Sequence, residues 1–476
     1  MDGRVSQELR SLLGADGVLE TPELAQRSAG LRRRDSLQAA LLLRPRTTEE
    51  VAAVMRVCDR EGLAIVPQGG LTGLVRGADA APTEVILSLE RMRAIEAVDP
   101  LSRTVVAQAG VTLQALQEEV EKHGLIFPLD LGARGSCTLG GNLATNAGGN
   151  RVIRYGMTRD MVLGIEVVLA DGTIVNNLNR LIKNNAGYDL KQLFIGSEGT
   201  LGIITRAALR LWEKPLSEQV ALTAVASFDK LPLLLRHVER HLGGSLSAFE
   251  VMWPEFYDLV TTLPAPSRPP LAGGYAHYVL VEAQGGDAAG AAGLQTALEQ
   301  ALDAKLIADA VVAQSQAERN ALWAIREDTG QTRRFEPLFV FDVSLPIPAM
   351  PAYVDGVRQA LSARWPEARC FVFGHLGDGN LHLVAAVGNN APETRSAVER
   401  LVYEPLAAVG GSISAEHGIG LEKKDYLRMT RSGEEVALMR RLKHALDPRA
   451  LLNPGKIIDR LEGGASPGVV GRPYTP

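Results

Sequence analysis

The sequence predicts a globular protein of mixed helices and strands, divided among more than one domain. Three observations carry that expectation. At 476 residues the chain is too long for one core, since domains run to roughly 100–200 residues each, so two to four are expected. Its 46% hydrophobic and 22% charged residues match ordinary globular composition and exclude a mainly disordered chain. Helix-periodic and strand-like segments alternate along its length, without the 20–50-residue period of a solenoid.

The elements follow in order. Residues 1–45 read as helical and charged, with a basic cluster at Arg32, Arg33 and Arg34 that suits a solvated surface. A helix is predicted over 47–62, with Thr47 or Thr48 as its cap and Glu49 and Glu50 in its first turn. The run AIVPQGG reads strand-to-turn. EVILSLERM, TVVAQAG and VLGIEVVLADGTIV are strand-like, with turns at Asp99-Pro100 and Asp171-Gly172. The pattern changes after Thr205. LPLLLRHVERHL and GLQTALEQALDAK have helical spacing, whereas LTAVASF, YAHYVLVEAQ and FVFDVSLP read as strands. The Pro- and Gly-rich stretch 262–274 is an exposed loop, and a helix over 433–447 stops at Asp447-Pro448. The tail 461–476 has no core-forming pattern.

Charge and cysteine content narrow the function. Fifty Lys and Arg against 55 Asp and Glu leave a net charge of −5, which argues against nucleic acid as a partner. Three scattered cysteines cannot build a disulfide framework or a four-cysteine zinc site, so a reducing, cytoplasmic setting is expected. There is no signal-peptide pattern at the start and no apolar run near 18 residues, hence no transmembrane segment; peripheral attachment to a membrane stays open.

Glycine is in excess, at 48 residues, and 21 of these fall in five segments: 69–77, 132–149, 187–202, 374–379 and 410–420. Glycine permits positive φ and close backbone approach to a ligand. PQGGLTGLVRGA (67–78) follows a strand and suits an anion-binding nest of N–H groups. A tight inter-strand turn is the plainer alternative. It lacks the GK[ST] ending of a P-loop and the strand–GxGxxG–helix context of a Rossmann site. LDLGARGSCTLGGNLATNAGGN (129–150) is small and almost uncharged, fit to thread beside a flat ring, and GSEGTLG sets backbone donors beside Glu198. Either segment taken singly also reads as a structural loop.

In this order, PQGGLTGL, GSCTLGGNLATNAGGN, RYGMTRDMVLGIEVVLADG and GSEGTLGIIT resemble the FAD-binding domain of the vanillyl-alcohol oxidase/p-cresol methylhydroxylase superfamily. FGHLGDGNLH, SAEHGIG and LNPGKI resemble its FAD-linked D-2-hydroxyacid dehydrogenase branch, which includes D-lactate dehydrogenase, D-2-hydroxyglutarate dehydrogenase and the glycolate oxidase flavin subunit. The resemblance covers roughly residues 40–460. It implies an α+β fold: a bipartite FAD-binding domain, 40–215 with a helical return at 425–460, and an α+β substrate-binding cap, 216–424, after an N-terminal helical segment, 1–39. It further implies that Pro67, Gly69, Gly70, Leu71, Thr72, Gly73 and Leu74 hold the FAD pyrophosphate. Ser136, Thr138, Gly140, Gly141, Asn142, Thr145 and Asn146 would line the flavin and ribityl region. Glu198, Gly199 and Ile203 would lie by the adenine, and Asn453 would return to the flavin. The first loop carries no His, so the FAD is expected to be non-covalent.

Of eight histidines, only His375, His382 and His417 lie in Gly-rich motifs; His123, His237, His241, His277 and His444 read as ordinary surface or helix residues. If FVFG and LHLVAAV are neighbouring strands, the Gly-Asp-Gly turn between them brings His375 and His382 to one point. With Glu416 they suit Zn²⁺ or Mn²⁺; spacing by itself leaves a metal-free polar turn equally open. The resemblance implies His375, His382 and Glu416 as metal ligands and Arg326 as the partner of the substrate carboxylate; His417, beside the proposed ligand Glu416, is then the candidate base for the hydroxyl proton. Arg333 and Arg334 read as helix surface, and Asp378 and Asn380 as turn-shaping residues.

Two departures bear on substrate. D-2-hydroxyglutarate dehydrogenases carry Lys two positions before the Asp of the DVSLP-like strand and Asn two positions after the second motif His; here these are Val340 and Val384. The expected substrate is therefore a small 2-hydroxyacid with one carboxylate, such as D-lactate. D-2-hydroxyglutarate dehydrogenase and glycolate oxidase flavin subunit are the alternatives. A non-catalytic FAD electron-transfer subunit is the rival of another class; such partners often lose the His/Glu set, which this chain keeps. A superfamily oxidase of sugars or phenols leaves HLGDGNLH and AEHG unexplained. The electron acceptor (quinone, electron-transfer flavoprotein or cytochrome) and a homodimer are left open.

Overall fold

The computed structural model describes residues 3–30, 33, 35–286 and 290–459. Arg32, Arg34 and the tail 461–476 lie outside them. Arg33 pairs with Asp35 and Asp79.

The first half of the chain builds two main sheets and a small two-stranded one, Leu125–Ile126 with Trp212–Glu213. One runs in the order Val18–Leu19, Leu41–Leu43, Val85–Ser88, Ile65–Gln68, its last three strands parallel. The crossover helix Thr48–Glu61 starts where expected: Thr47 Oγ1 accepts the Glu50 N–H at 3.2 Å, satisfying one of the orphan donors of a helix start. Its Val51, Val54, Met55 and Cys58 are buried among Ile65, Val85 and Leu87. The second sheet is antiparallel, in the order Ile95–Asp99, Thr104–Gln108, Ile203–Arg210, Val162–Val168, Ile174–Asn177. The chain returns to the first of these sheets near its end. Ile65 N–H donates to the Leu451 carbonyl at 2.8 Å and Asn453 N–H to the Ile65 carbonyl at 2.7 Å, with Leu452 sealed in the core.

Residues 217–386 build an antiparallel seven-stranded sheet: Asp309–Val312, Ser217–Val225, His277–Gly285, Leu246–Met252, Arg369–His375, Asn380–Ala386, Leu338–Ser344. Helices Lys230–Leu242, Gly290–Asp303, Met350–Arg364 and Pro392–Ala408 cover one face. Pro254–Thr261 and Gln316–Glu327 cover part of the other. The short helix Val152–Tyr155 docks the first half against this sheet. Arg151 Nε meets Glu282 Oε1 at 2.8 Å, Tyr155 Oη donates to Gln284 Oε1 at 2.9 Å, and Ile153 packs where any side chain on Gly377 would collide with it.

Two expectations are corrected, and one strand that the sequence did not reveal is added. Residues 1–45 are not uniformly helical: Gly3–Leu13 and Thr21–Leu24 are, but Val18–Leu19 and Leu41–Leu43 are strands. Leu41–Leu43 is buried throughout, so it shows no alternation to betray it. Leu246–Met252, equally buried, gave no sequence signal for the same reason. His277 is not a surface residue: it is buried among Phe228 and Trp253, with ring centroids 5.5 and 5.0 Å away.

Burial, aided by the Arg358 charge, pushes His277 from 6.5 down to about 4. The unfolded chain thus binds a proton that the fold rejects between these values. The stabilisation is complete above pH 6.5 and is lost as pH falls towards 4. By pH 5 the loss amounts to about 2 kcal/mol. His277→Phe is expected to flatten the fall in urea midpoint between pH 7 and pH 5; equal falls in both proteins would refute this.

Candidate active site

Strand register assembles the site on one face of the large sheet. Glu250 lies opposite His375, Phe373 opposite His382, and His382 opposite Asp342. Alternation along each strand keeps these side chains on the same face. The hairpin turn between the two histidines is held by Asp378, whose Oδ1 accepts the Asn380 N–H at 3.2 Å, and Gly379 closes it at φ 82°. Burial pushes the Asp378 carboxyl up to about 7. The ring centroids of His375 and His382 lie 5.3 Å apart.

The loop 414–420 closes over this face. One carboxylate oxygen of Asp342, Oδ2, accepts the N–H groups of Ala415, Glu416 and His417 at 3.1, 3.0 and 2.9 Å. Lys423 Nζ stands 3.6 Å from the same oxygen. Although burial works against it, the neighbouring His417 and Lys423 together with these N–H bonds hold the Asp342 carboxyl well below the usual range. The loop so held aims Glu416 at three imidazoles: its Oε1 lies 4.0 Å from His375 Nε2, 3.6 Å from His382 Nε2 and 3.9 Å from His417 Nε2. Ligand atoms around one tetrahedral Zn²⁺ stand about 3.3 Å apart, so small inward shifts would complete a divalent-ion site. Asp342, His382, Glu416 and His417 also offer ligand atoms within 4.8 Å of one another. All four expected residues, His375, His382, Glu416 and His417, are therefore brought together, joined by Asp342, Glu250 and Lys423.

Arg326 enters from the last turn of Gln316–Glu327. It is 5% exposed, stacks 4.8 Å from the Phe373 ring centroid, and sets Nη2 2.7 Å from Glu250 Oε2. That approach is an ion pair outside hydrogen-bonding angles, so Arg326 Nε and Nη2 remain buried without a hydrogen-bond partner. Buried donors are rarely left so, and a carboxylate ligand would satisfy both.

The glycine segments meet as expected. Gly69 and Gly70 pack against Ser136–Gly141 so closely that a side chain on Gly70 would strike the Ser136 carbonyl and one on Gly69 would strike Thr138. Leu71 and Arg76 turn the loop through φ of 55° and 57°. Thr138 Oγ1, Ser197 Oγ and Asn453 Oδ1 are buried without partners, as a polar cofactor's cradle requires. A Cβ on Gly148 would lie 2.9 Å from Glu416 Oε2, so the second segment reaches the His/Glu cluster.

Some side chains have other work. Glu198 does not point at a ligand: its carboxylate accepts the Ile419 and Gly420 N–H groups at 2.7 and 2.9 Å. Ile203 packs inside the core, 2% exposed. Thr145 Oγ1 bonds the Gly141 carbonyl at 3.1 Å, and Asn146 Oδ1 accepts the Arg159 N–H at 2.9 Å. Asn142 faces Cys137, and Leu74 lines a cleft of about 300 Å³ beside His417.

Asp342→Ala would strand three loop N–H groups at about 1–3 kcal/mol each. A loss of several kcal/mol in urea unfolding is expected, and a smaller one for Asp342→Asn, which keeps one oxygen. An unchanged midpoint in the alanine variant would remove Asp342 from this role.

Comparison with known proteins agrees with this arrangement. Residues 39–177 match the FAD binding domain, and residues 214–457 match the C-terminal domain of FAD linked oxidases. The mitochondrial D-2-hydroxyglutarate dehydrogenase of Bos taurus is 45% identical over 88% of this chain and 76% of its own. A putative mitochondrial D-lactate dehydrogenase of Schizosaccharomyces pombe is 39% identical over 88% of this chain and 81% of its own. The fold matches that of p-cresol methylhydroxylase with a TM-score of 0.78 at 17% identity, over 96% of each chain. No helix among the described residues is long and apolar enough to cross a membrane. The chain belongs to the FAD-linked oxidases, with their FAD-binding domain followed by their C-terminal domain.

Proposed function

We propose that this enzyme oxidises a D-2-hydroxyacid to the 2-oxoacid, with FAD and a divalent metal, and prefers substrates bearing one carboxylate. The observation that carries this is the convergence of three imidazoles and Glu416 beside Arg326, whose Nε and Nη2 are buried without hydrogen-bond partners.

FAD, when bound, supplies the two-electron acceptor for the hydride leaving the alcohol carbon. A divalent ion held there, Zn²⁺ or Mn²⁺, would lower the pKa of the substrate hydroxyl. His375, His382 and Glu416 would hold that ion. Thr138, Ser197 and Asn453 with the loop 69–74 would hold the cofactor. Arg326 receives the substrate carboxylate and thereby fixes which hydrogen of the alcohol carbon is presented. His417 takes the hydroxyl proton at Nε2, while its Nδ1 stands 3.9 Å from Asp342. Asp342 thus favours the imidazolium that forms.

The cleft beside His417 supports the substrate preference. Val340, 47% exposed, forms its wall together with Leu74, Val75 and Leu338. Two of its cations are already engaged, Arg395 with Glu399 at 3.4 Å and Lys423 with Asp342 at 3.6 Å. One observation favours a dicarboxylate instead: Arg333 lines the same cleft, exposed and without an ion-pair partner among the described residues. D-2-hydroxyglutarate, after which the bovine relative is named, is the second reading.

Anaerobic flavin reduction separates the two. The expected result is a higher kcat/KM for D-lactate than for D-2-hydroxyglutarate; the reverse order establishes the second reading. In the same assay His417→Ala is expected to slow reduction by about 10²–10⁴-fold. Complete removal of metal by chelation should abolish reduction, restored by Zn²⁺ or Mn²⁺. Near-normal rates in either case would overturn the corresponding role.

A further inference from the structure

Glu250 is 1% exposed, and nothing in the sequence marks it as part of the site. Its two carboxylate oxygens serve different partners. Oε1 meets His375 Nδ1 at 2.8 Å, and Oε2 meets Arg326 Nη2 at 2.7 Å. A carboxylate accepts only, so His375 carries its proton on Nδ1 towards Glu250. In the neutral ring, the form that binds a metal, Nε2 is then the lone-pair nitrogen, and Nε2 is the atom that faces Glu416, 4.0 Å away. On the other side Arg326 is fixed between this carboxylate and the Phe373 ring, whose centroid lies 4.8 Å from the guanidinium carbon. Strand register makes the arrangement rigid, because Glu250 and His375 are direct cross-strand partners and Phe373 lies two residues before His375 on the same face.

We propose that Glu250 is a positioning residue that sets, from one buried carboxylate, both the metal-facing nitrogen of His375 and the carboxylate-facing guanidinium of Arg326. Metal binding and substrate binding are thus aligned by a side chain that touches neither ligand. A carboxylate behind a ligating histidine fixes its tautomer and raises its basicity, an effect worth about 10–100-fold in metal affinity. The inference rests on His375 being a metal ligand, as read above.

The test is calorimetric titration of the chelator-stripped, FAD-loaded protein with ZnCl₂, followed by kinetics at saturating Zn²⁺. Glu250→Gln is expected to weaken Zn²⁺ binding about 10–100-fold. It should also raise KM for D-lactate about tenfold, with kcat within about a factor of three, because Arg326 loses its anchor. Arg326→Met should raise KM and leave Zn²⁺ affinity within about threefold. The double variant Glu250→Met/Arg326→Met removes the buried pair together, which protects the fold, and should weaken Zn²⁺ as Glu250→Gln does. Glu282→Gln, a buried carboxylate bonded to Ser247 and Trp323, is the control with unchanged affinity. His375→Ala separates the two levels of inference. If it binds Zn²⁺ as the parent does, the metal reading fails. If it loses Zn²⁺ while both Glu250 variants bind normally, the positioning role of Glu250 is overturned.

Discussion

One carboxylate oxygen holds the loop 414–420. Asp342 Oδ2 takes the three successive N–H groups of Ala415, Glu416 and His417, and Ser414 Oγ approaches it at 3.3 Å. A run of N–H groups converging on one acceptor dictates the backbone course of the whole segment, as in an anion nest. The side chains of Glu416 and His417 point where they do because their own amides are committed to Asp342. Lys423 supplies the compensating charge, and without it a fully buried carboxylate would be costly.

The same logic extends across the sheet. Its site face carries a row of buried groups in which two histidines, His382 and His375, stand between the carboxylates of Asp342 and Glu250, with Arg326 beyond Glu250. Burial opposes the charging of His375, but Glu250 overrides it and raises the imidazole to about 9. His382 is pushed the other way, first by burial and then by the His375 charge. Two histidines seven residues apart are therefore pushed in opposite directions, because His375 meets Glu250 at 2.8 Å whereas His382 stands 3.6 Å from Glu416 and beside the His375 charge. A cation placed among Glu416, His375 and His382 would substitute for the proton that this cluster is built to hold.

Legibility in the sequence followed distance along the chain. The turn carrying His375 and His382, the adjacent Glu416 and His417, and the glycine loops were readable because each is a short contiguous motif. The helix Thr48–Glu61 was readable from its cap and spacing. Glu250 was not, since it lies 125 residues from the histidine it orients and in a strand buried on both faces, which shows no alternation. Asp342 was noticed only as a landmark for its neighbour Val340, since no local pattern announces that one carboxylate will gather N–H groups more than 70 residues away. Glu198 shows the opposite failure. Its glycine-rich setting suggested a ligand contact, and the glycines around it instead make room for another part of the chain.

That room has a consequence for how the halves of the molecule work together. Glu198 comes from the FAD-binding half, and its carboxylate receives the Ile419 and Gly420 N–H groups from the far end of the loop that Asp342 holds. A side chain at Gly418 would collide with that carboxylate, and one at Gly420 with the Val75 carbonyl. The Val75 carbonyl in turn accepts the Leu421 N–H at 2.9 Å, and Asn453 Nδ2 ties the carbonyls of Gly77 and Glu198 at 2.9 and 2.7 Å. The loop 414–420 is thus clamped from both halves, by Asp342 at its start and by Glu198 and the first glycine loop at its end. The glycine excess serves two ends here: close approach for a cofactor, and close approach of the chain to itself. Moving the two halves apart would break the Glu198 bonds before those of Asp342. The geometry of Glu416 and His417 therefore depends on the same loop, 69–77, that would cradle the cofactor's phosphates.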